Sequence, residues 1–303
     1  MEIFGKQISE SNLYFLINEI KQKKELNYFS DISIRKLIEF YLKRNKDYLK
    51  LITENEFDKR IPKKKIFKEL VKDVRKDARR IYGVYITKDY SKRDELLQKL
   101  FESNFSKDAF NNLLNIHLSS RERLPFFNKI YSILVEKLRV PTSILDLGCG
   151  FNPFSIKYLE ENNINLSKLN YFAGDISEYD IDFVNNFFIE AESNKIIGSK
   201  SKAFRIDLSE REEFGKLSSF ETDWCFLFKC LDPIEEISEN ISYDLIDSIK
   251  SKYIVVSFPT LTVSNKAMRN PRRNWFEKLL DRKELRFEIF EVENELFYLI
   301  YNC

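Results

Sequence analysis

The sequence predicts two parts of different class. The first hundred or so residues read as all-helical, and the remainder as an α/β domain whose mostly parallel sheet ends in an antiparallel hairpin. Three observations lead there. Before residue 110 apolar side chains recur at three- and four-residue steps, the period of a helix face. From residue 143 short apolar runs alternate with helical patterns, as in β-α units that feed a parallel sheet. At the end, two β-rich runs at 285–292 and 295–301 are separated only by Glu293-Asn294, too short for a crossover, so they pair as a hairpin.

Taken in order, Leu13, Phe15, Leu16 and Ile20 form one amphipathic stripe, and Ile34, Leu37, Ile38 and Tyr41 a second. Both are expected in a core. In a third stripe Phe67, Leu70, Val71, Val74, Ala78 and Ile81 line one helix face, while Lys65, Lys68, Lys72, Arg75, Lys76 and Arg79 fall largely outside it. With Lys64, these belong to a run from Lys59 to Arg80 holding eleven basic residues and three acidic ones. Net charge over 303 residues is only +2, but residues 1–110 carry 26 Lys and Arg against 18 Asp and Glu. A basic outer face suits contact with the phosphates of a nucleic acid. A merely solvated face is the competing reading.

A following stretch leads to Asn115-Ile116-His117-Leu118-Ser119-Ser120, where Ser119 or Ser120 is expected to cap the next helix. That helix, through Phe127, Ile130, Leu134 and Leu138, ends before Pro141. The sequence divides on this basis into a helical domain at 1–107, a connecting helical segment at 108–140 that contributes to the ligand site, and the α/β domain at 141–303. His117, the one histidine, reads as a structural hydrogen-bonder rather than a catalyst.

Five strands follow at 143–147, 169–174, 203–207, 224–228 and 253–258. The first ends in Asp146-Leu147-Gly148-Cys149-Gly150-Phe151-Asn152-Pro153-Phe154, placing two of only seven glycines where the backbone must approach a ligand and a helix then begins. A dinucleotide fingerprint wants a third glycine where Pro153 stands, which argues against a nicotinamide cofactor. Asp146 and a second acid closing the next strand, Asp175, suit a ligand with a cationic amino-acid end and a ribose diol, as in S-adenosylmethionine. A strand-to-helix turn of some other α/β protein is the alternative, which the later strands decide. Five parallel strands closed by an antiparallel pair form the Rossmann-like seven-stranded sheet of class I S-adenosylmethionine-dependent methyltransferases, with no C-terminal substrate domain such as a dehydrogenase carries.

Composition adds exclusions. At 43% hydrophobic and 32% charged the chain is ordinary for a globular protein. No apolar run nears the roughly 18 residues needed to span a bilayer, and the start lacks a secretory layout, so a cytoplasmic location is expected. The four cysteines show no paired metal spacing, so neither disulfide nor metal is expected.

Five motifs, spread over roughly residues 75–303, resemble those of the 16S ribosomal RNA guanine-N7 methyltransferases of the aminoglycoside-resistance type. They are His117-Leu-Ser-Ser-Arg-Glu-Arg123-Leu, the loop from Asp146 to Pro153, Leu227-Phe-Lys229-Cys-Leu-Asp-Pro-Ile-Glu235, Val256-Ser-Phe-Pro-Thr260, and Asn274-Trp-Phe276 with Glu295-Leu-Phe-Tyr-Leu-Ile300. The resemblance implies methyl transfer to a guanine N7 in the decoding site of 16S rRNA, in the assembled 30S subunit; a monomer without metal is expected. It also implies that Arg123 reaches the cofactor carboxylate, that Gly148 and Gly150, with Asn152 and Pro153, pass under its methionine portion, and that Asp175 with Ile176 holds the ribose. Asp207 and Leu208 then border the adenine, and Phe228 and Lys229 the sulfonium and reacting base. Ser257 offers the target base a hydrogen bond. Trp275, after the basic run with Arg269, Arg272 and Arg273, is expected to stack on the flipped guanine, with Phe154 or Phe258 as the opposite wall. Plainer readings compete: Arg123 pairs with Glu122 or a neighbouring acid, Asp207 caps the next helix, and Trp275 belongs to the core. A small-molecule methyltransferase and a non-catalytic RNA-binding factor are the other function classes.

Overall fold

The computed structural model describes residues 2–23, 26, 31–81, 87–261 and 266–302. The chain forms two compact units, Met1–Ile86 and Thr87–Cys303. The division falls well before the expected position at 107. The reason is local: Tyr90 and Arg93 are buried against Asp180 of the sheet unit, so residues 87–107 pack with the sheet's helices.

In the first unit a two-residue pair, β1 (Glu2–Ile3) and β2 (Lys6–Gln7), precedes α1 (Glu10–Lys21), α2 (Asp31–Arg44), α3 (Lys46–Thr53) and α4 (Lys65–Ile81). Asn45 starts α3 by accepting the amides of Asp47 and Tyr48 at 2.9 and 3.3 Å. The three apolar stripes meet in one core, with Leu13, Leu16, Ile20, Ile34, Ile38, Leu70, Val74 and Ala78 buried; Phe15 and Tyr41 pack at its edge. The side chain of Ile81 lies outside the described residues. Two of the three acids on α4 face inward: Asp77 accepts from Tyr41 at 2.6 Å and Asp73 from Tyr48 at 2.7 Å. Lys64, Lys65, Lys68, Lys72 and Lys76 are exposed. Arg75 instead donates to the backbone carbonyls of Glu19 and Ile20 at the end of α1, and Arg79 is half-buried.

The second unit begins with α5 (Arg93–Glu102), α6 (Lys107–Asn115), α7 (Leu118–Arg123) and α8 (Phe127–Lys137). Ser119 and Ser120 lie inside α7 rather than capping a later helix: His117 is the cap residue, and Ser120 Oγ bonds the carbonyls of Leu114 and His117 at 2.9 and 3.1 Å. The sheet then alternates with helices through β3 (Ser143–Leu147), α9 (Ile156–Glu161), β4 (Asn170–Asp175), α10 (Glu178–Ser193), β5 (Lys202–Arg205), β6 (Trp224–Phe228), α11 (Leu231–Ile237), α12 (Ile241–Ser248), β7 (Tyr253–Pro259), α13 (Asn274–Arg282), β8 (Arg286–Val292) and β9 (Glu295–Tyr301).

Strand order is β5-β4-β3-β6-β7-β9-β8, parallel except that β9 runs antiparallel to both neighbours. One face buries Leu145, Leu227, Val256 and Tyr298 against Leu245, Phe276 and Leu280. The strand order reverses direction on either side of β3. The crevice beyond its C-terminal end is where ligands bind in open α/β sheets.

Candidate cofactor and methyl-transfer site

The loop that leaves β3 enters this crevice in a conformation only glycine adopts easily, with φ of +69° at Gly148 and +46° at Gly150. The backbone amides of Gly148 and Cys149 bond the Gly174 carbonyl at 2.8 and 3.1 Å, so the ends of β3 and β4 are tied together. A Cβ at Gly150 would lie 2.8 Å from His117 Cε1, and one at Gly148 3.0 Å from Cys230 Cβ. His117 stacks on Phe151 with ring centroids 5.3 Å apart, and burial pushes its imidazole down to about 3. It is neutral at physiological pH and acts in packing.

Asp146 is buried at the end of β3. Its Oδ2 accepts from Tyr171 Oη at 2.6 Å and Asn152 Nδ2 at 2.9 Å, while Asp146 Oδ1 and Asn152 Oδ1 are buried with no hydrogen-bond partner among the described residues. Burial pushes the Asp146 carboxyl up to about 6. Pro153 enters a short 3-10 turn at Asn152–Ser155, which holds Asn152 against Asp146. Asp175 closes β4, accepting from the amides of Gly150 at 2.9 Å and Ser177 at 3.1 Å. Burial and the nearby Asp180 push it up to about 6 as well. Half-buried Ile176 follows in the same turn. Two buried acids raised in this way favour a ligand that brings positive charge and hydroxyl donors, and orphaned buried acceptors are costly without one. The donor set thus fits the cationic amino end and ribose of S-adenosylmethionine.

Further along the sheet edge, Asp207 Oδ1 accepts from Ser209 N and Oγ at 3.0 and 2.6 Å, so this side chain caps its own turn, beside the buried Leu208. Phe228 ends β6 under the Arg123 guanidinium, 4.8 Å from ring centroid to Cζ. Lys229 follows at φ +56°, with its Nζ 2.7 Å from Glu122 and 3.4 Å from Glu295. Arg123 is buried on α7 and pairs through Nε with both oxygens of Glu295 at 2.9 Å, while its Nη2 donates to Ser119 at 3.0 Å. The nearby acid that claims Arg123 is therefore Glu295, not Glu122. Ser257 Oγ also donates to Glu295. Burial pushes the Glu295 carboxyl up, but Arg123 and Lys229 outweigh it and hold the group below the ordinary glutamate range. The sequence reading placed Glu295 at the head of its last motif but assigned it no role.

The expected target-base walls are not where the sequence reading placed them. Phe154 is fully buried among Phe151, Phe183 and Phe187, and Phe258 among Phe276 and Tyr298, so neither faces open space. Trp275 is half-buried, with its ring edge-on to Phe258 and Phe276 at 6.0 and 5.5 Å. Arg269 is exposed, and Arg272 pairs with Glu277 at 2.7 Å. Arg273 turns inward: it bonds Asp232 at 2.9 and 3.0 Å and the carbonyls of Pro259 and Pro271 at 3.1 and 2.6 Å. Its buried guanidinium ties β7 and α11 to the residues that lead into α13.

The family described as "Ribosomal RNA methyltransferase (FmrO)" matches residues 67–300, from the first apolar turn of α4 to the last strand. The chain belongs to this family of ribosomal RNA methyltransferases. Its relatives include proteins named 16S rRNA (guanine(1405)-N(7))-methyltransferase. The one from Frankia casuarinae is 24% identical over 241 residues, covering 77% of this chain and 80% of the relative. The one from Proteus mirabilis is 26% identical over 265 residues, covering 82% and 88%. The solved structure of the 16S rRNA methyltransferase RmtF in complex with S-adenosyl-L-homocysteine has the same fold, with a TM-score of 0.68 at 22% identity over 98% of this chain and 100% of that one. Among the described residues no helix is long and apolar enough to cross a membrane, and no group of three or more His, Cys, Asp or Glu is placed to hold a metal.

Proposed function

We propose that this FmrO-family enzyme transfers a methyl group from S-adenosylmethionine to N7 of a guanine in the decoding site of 16S rRNA, in the assembled 30S subunit. The observation that carries the reading is the pair of buried, raised acids, Asp146 and Asp175, flanking the positive-φ glycine loop at the sheet's reversal point. Relatives named for guanine N7 methylation supply the target atom.

In this reading Asp146, with Asn152 and Tyr171 behind it, takes the cofactor's ammonium. Arg123 takes its carboxylate, and Asp175, whose two oxygens offer about four lone pairs, accepts from the ribose hydroxyls as well as from Gly150 and Ser177. Asp207, Leu208 and Ile176 frame the adenine and ribose, and Gly148, Gly150 and Pro153 let the backbone pass close beneath the ligand. When bound, the cofactor supplies a methyl group already activated by a sulfonium. Transfer of that methyl to N7 would leave the sulfur neutral and the purine cationic, and would ask no residue to give or take a proton. The protein's work is therefore positioning. The base is taken out of its stack, Phe228 borders the reacting atoms, and Lys229, Ser257 and Trp275 fix the guanine. Lys64, Lys65, Lys68, Lys72 and Lys76, with Arg79, Arg269 and Arg272, meet the rRNA backbone; Arg75 acts mainly within its own unit. The enzyme works as a cytoplasmic monomer.

The test is incubation of the protein with methyl-labelled S-adenosylmethionine and unmodified 30S subunits, naked 16S rRNA or 50S subunits. Label confined to 30S is expected. Label in 50S alone overturns the substrate, and turnover only with small metabolites overturns the RNA reading.

A further inference from the structure

One buried acid joins several elements of the sheet unit, and in the sequence it has a place in a motif but no assigned role. Glu295 opens β9, opposite Pro259 of β7, where the parallel sheet meets its antiparallel closure. Only 4% exposed, it draws in Arg123 from α7, Lys229 from the end of β6 and Ser257 from β7. Arg123 and Glu295 are 172 residues apart in sequence.

The geometry fixes two cations with one anion. Arg123 uses Nε on Glu295 and Nη2 on Ser119, which sets the plane of its guanidinium. With five N–H donors in a rigid fork, the same group can still take a second carboxylate. Lys229, in a left-handed backbone conformation that lysine rarely adopts, is held between Glu122 and Glu295 with its side chain 10% exposed. Backbone strain of this kind persists only where surrounding contacts over-determine it. Two positive and two negative groups leave the cluster close to neutral, so it does not oppose the passage of positive charge onto a purine.

We propose that Glu295 is a positioning residue for methyl transfer: it aims Arg123 at the cofactor carboxylate and Lys229 at the target base. The proposal rests on the reading above for what Arg123 and Lys229 face. It differs from a simple core ion pair in what it predicts for binding. A pair that only stabilises the fold affects melting and leaves cofactor affinity alone.

The experiment compares wild type, Glu295→Gln, Arg123→Met and the double variant. It measures thermal midpoint, S-adenosylmethionine affinity by calorimetry without RNA, and single-turnover methylation of 30S at saturating cofactor. Glu295→Gln is expected to weaken cofactor binding at least tenfold and to slow the saturated turnover at least tenfold. The double variant, which leaves no charge buried alone, is expected to regain melting temperature but not affinity. If Glu295→Gln alone does not fold, equal cofactor affinity in Arg123→Met and the double variant supports action through Arg123; a further loss in the double contradicts it. Wild-type affinity in a folded Glu295→Gln overturns the proposal. Because affinity is read without RNA, a wild type that labels no RNA refutes the target assignment and leaves the cofactor half of this proposal standing.

Discussion

Gly150→Ala tests the physical basis of the cofactor loop at a single atom. At φ +46° an alanine is strained by about 1–2 kcal/mol relative to glycine. Its Cβ would also stand 2.8 Å from His117 Cε1 and 3.0 Å from Nε2, and the imidazole, buried against Phe151, has little room to retreat. Overpacking of this kind costs about 1–3 kcal/mol. Together a loss of about 2–5 kcal/mol is expected, a drop of roughly 4–20 °C in the melting of the sheet unit. The assay is urea unfolding of Gly150→Ala in wild-type and His117→Ala backgrounds. Removing the imidazole should relieve the steric part and leave the backbone strain, so the cost of Gly150→Ala falls by about 1–3 kcal/mol in that background. A cost below about 0.5 kcal/mol, or an equal cost in both backgrounds, would refute the reasoning.

Three further outcomes follow from the same geometry. Asp146 and Asp175, each raised to about 6, are partly protonated at pH 5–6, and a cationic, hydroxyl-bearing ligand favours their ionised forms. Cofactor affinity should therefore rise as pH climbs from 5 to 7, with protons released on binding below pH 6. Calorimetry in two buffers of different ionisation enthalpy measures this, and affinity flat across that range contradicts it. Replacing the exposed Lys64, Lys68, Lys72 and Lys76 with Glu should weaken 30S binding and flatten its salt dependence while cofactor affinity stays constant; filter binding across a salt series decides. Trp275→Ala should slow methyl transfer at saturating cofactor more than it weakens cofactor binding, and equal losses in rate and affinity would assign the ring to the core it touches.

The fold was legible where local chemistry decides structure. The runs 143–147, 224–228 and 295–301 are strands at the expected residues, because each is apolar on both sides or alternates against a buried face. The third strand was expected at 203–207, but pairing ends at Arg205 because Asp207 turns to bond Ser209. The glycine loop and its two acids were legible because positive φ and burial limit what can stand there. The cluster on Glu295 was not, since its meaning comes from side chains brought together only by the sheet's closure. Arg272 and Arg273 make the same point. Adjacent and chemically identical, one pairs at the surface with Glu277 and the other is drawn inward by Asp232, a difference set by tertiary contacts alone.

The measurement that bears most directly on the central claim is the position of the methyl group. Small-subunit rRNA is methylated by the purified protein, reduced with borohydride and cleaved with aniline, a sequence that breaks the chain at N7-methylguanine. A single new cleavage in the decoding site is the predicted result. Incorporated methyl with no aniline-sensitive site would place it on another atom and contradict the account.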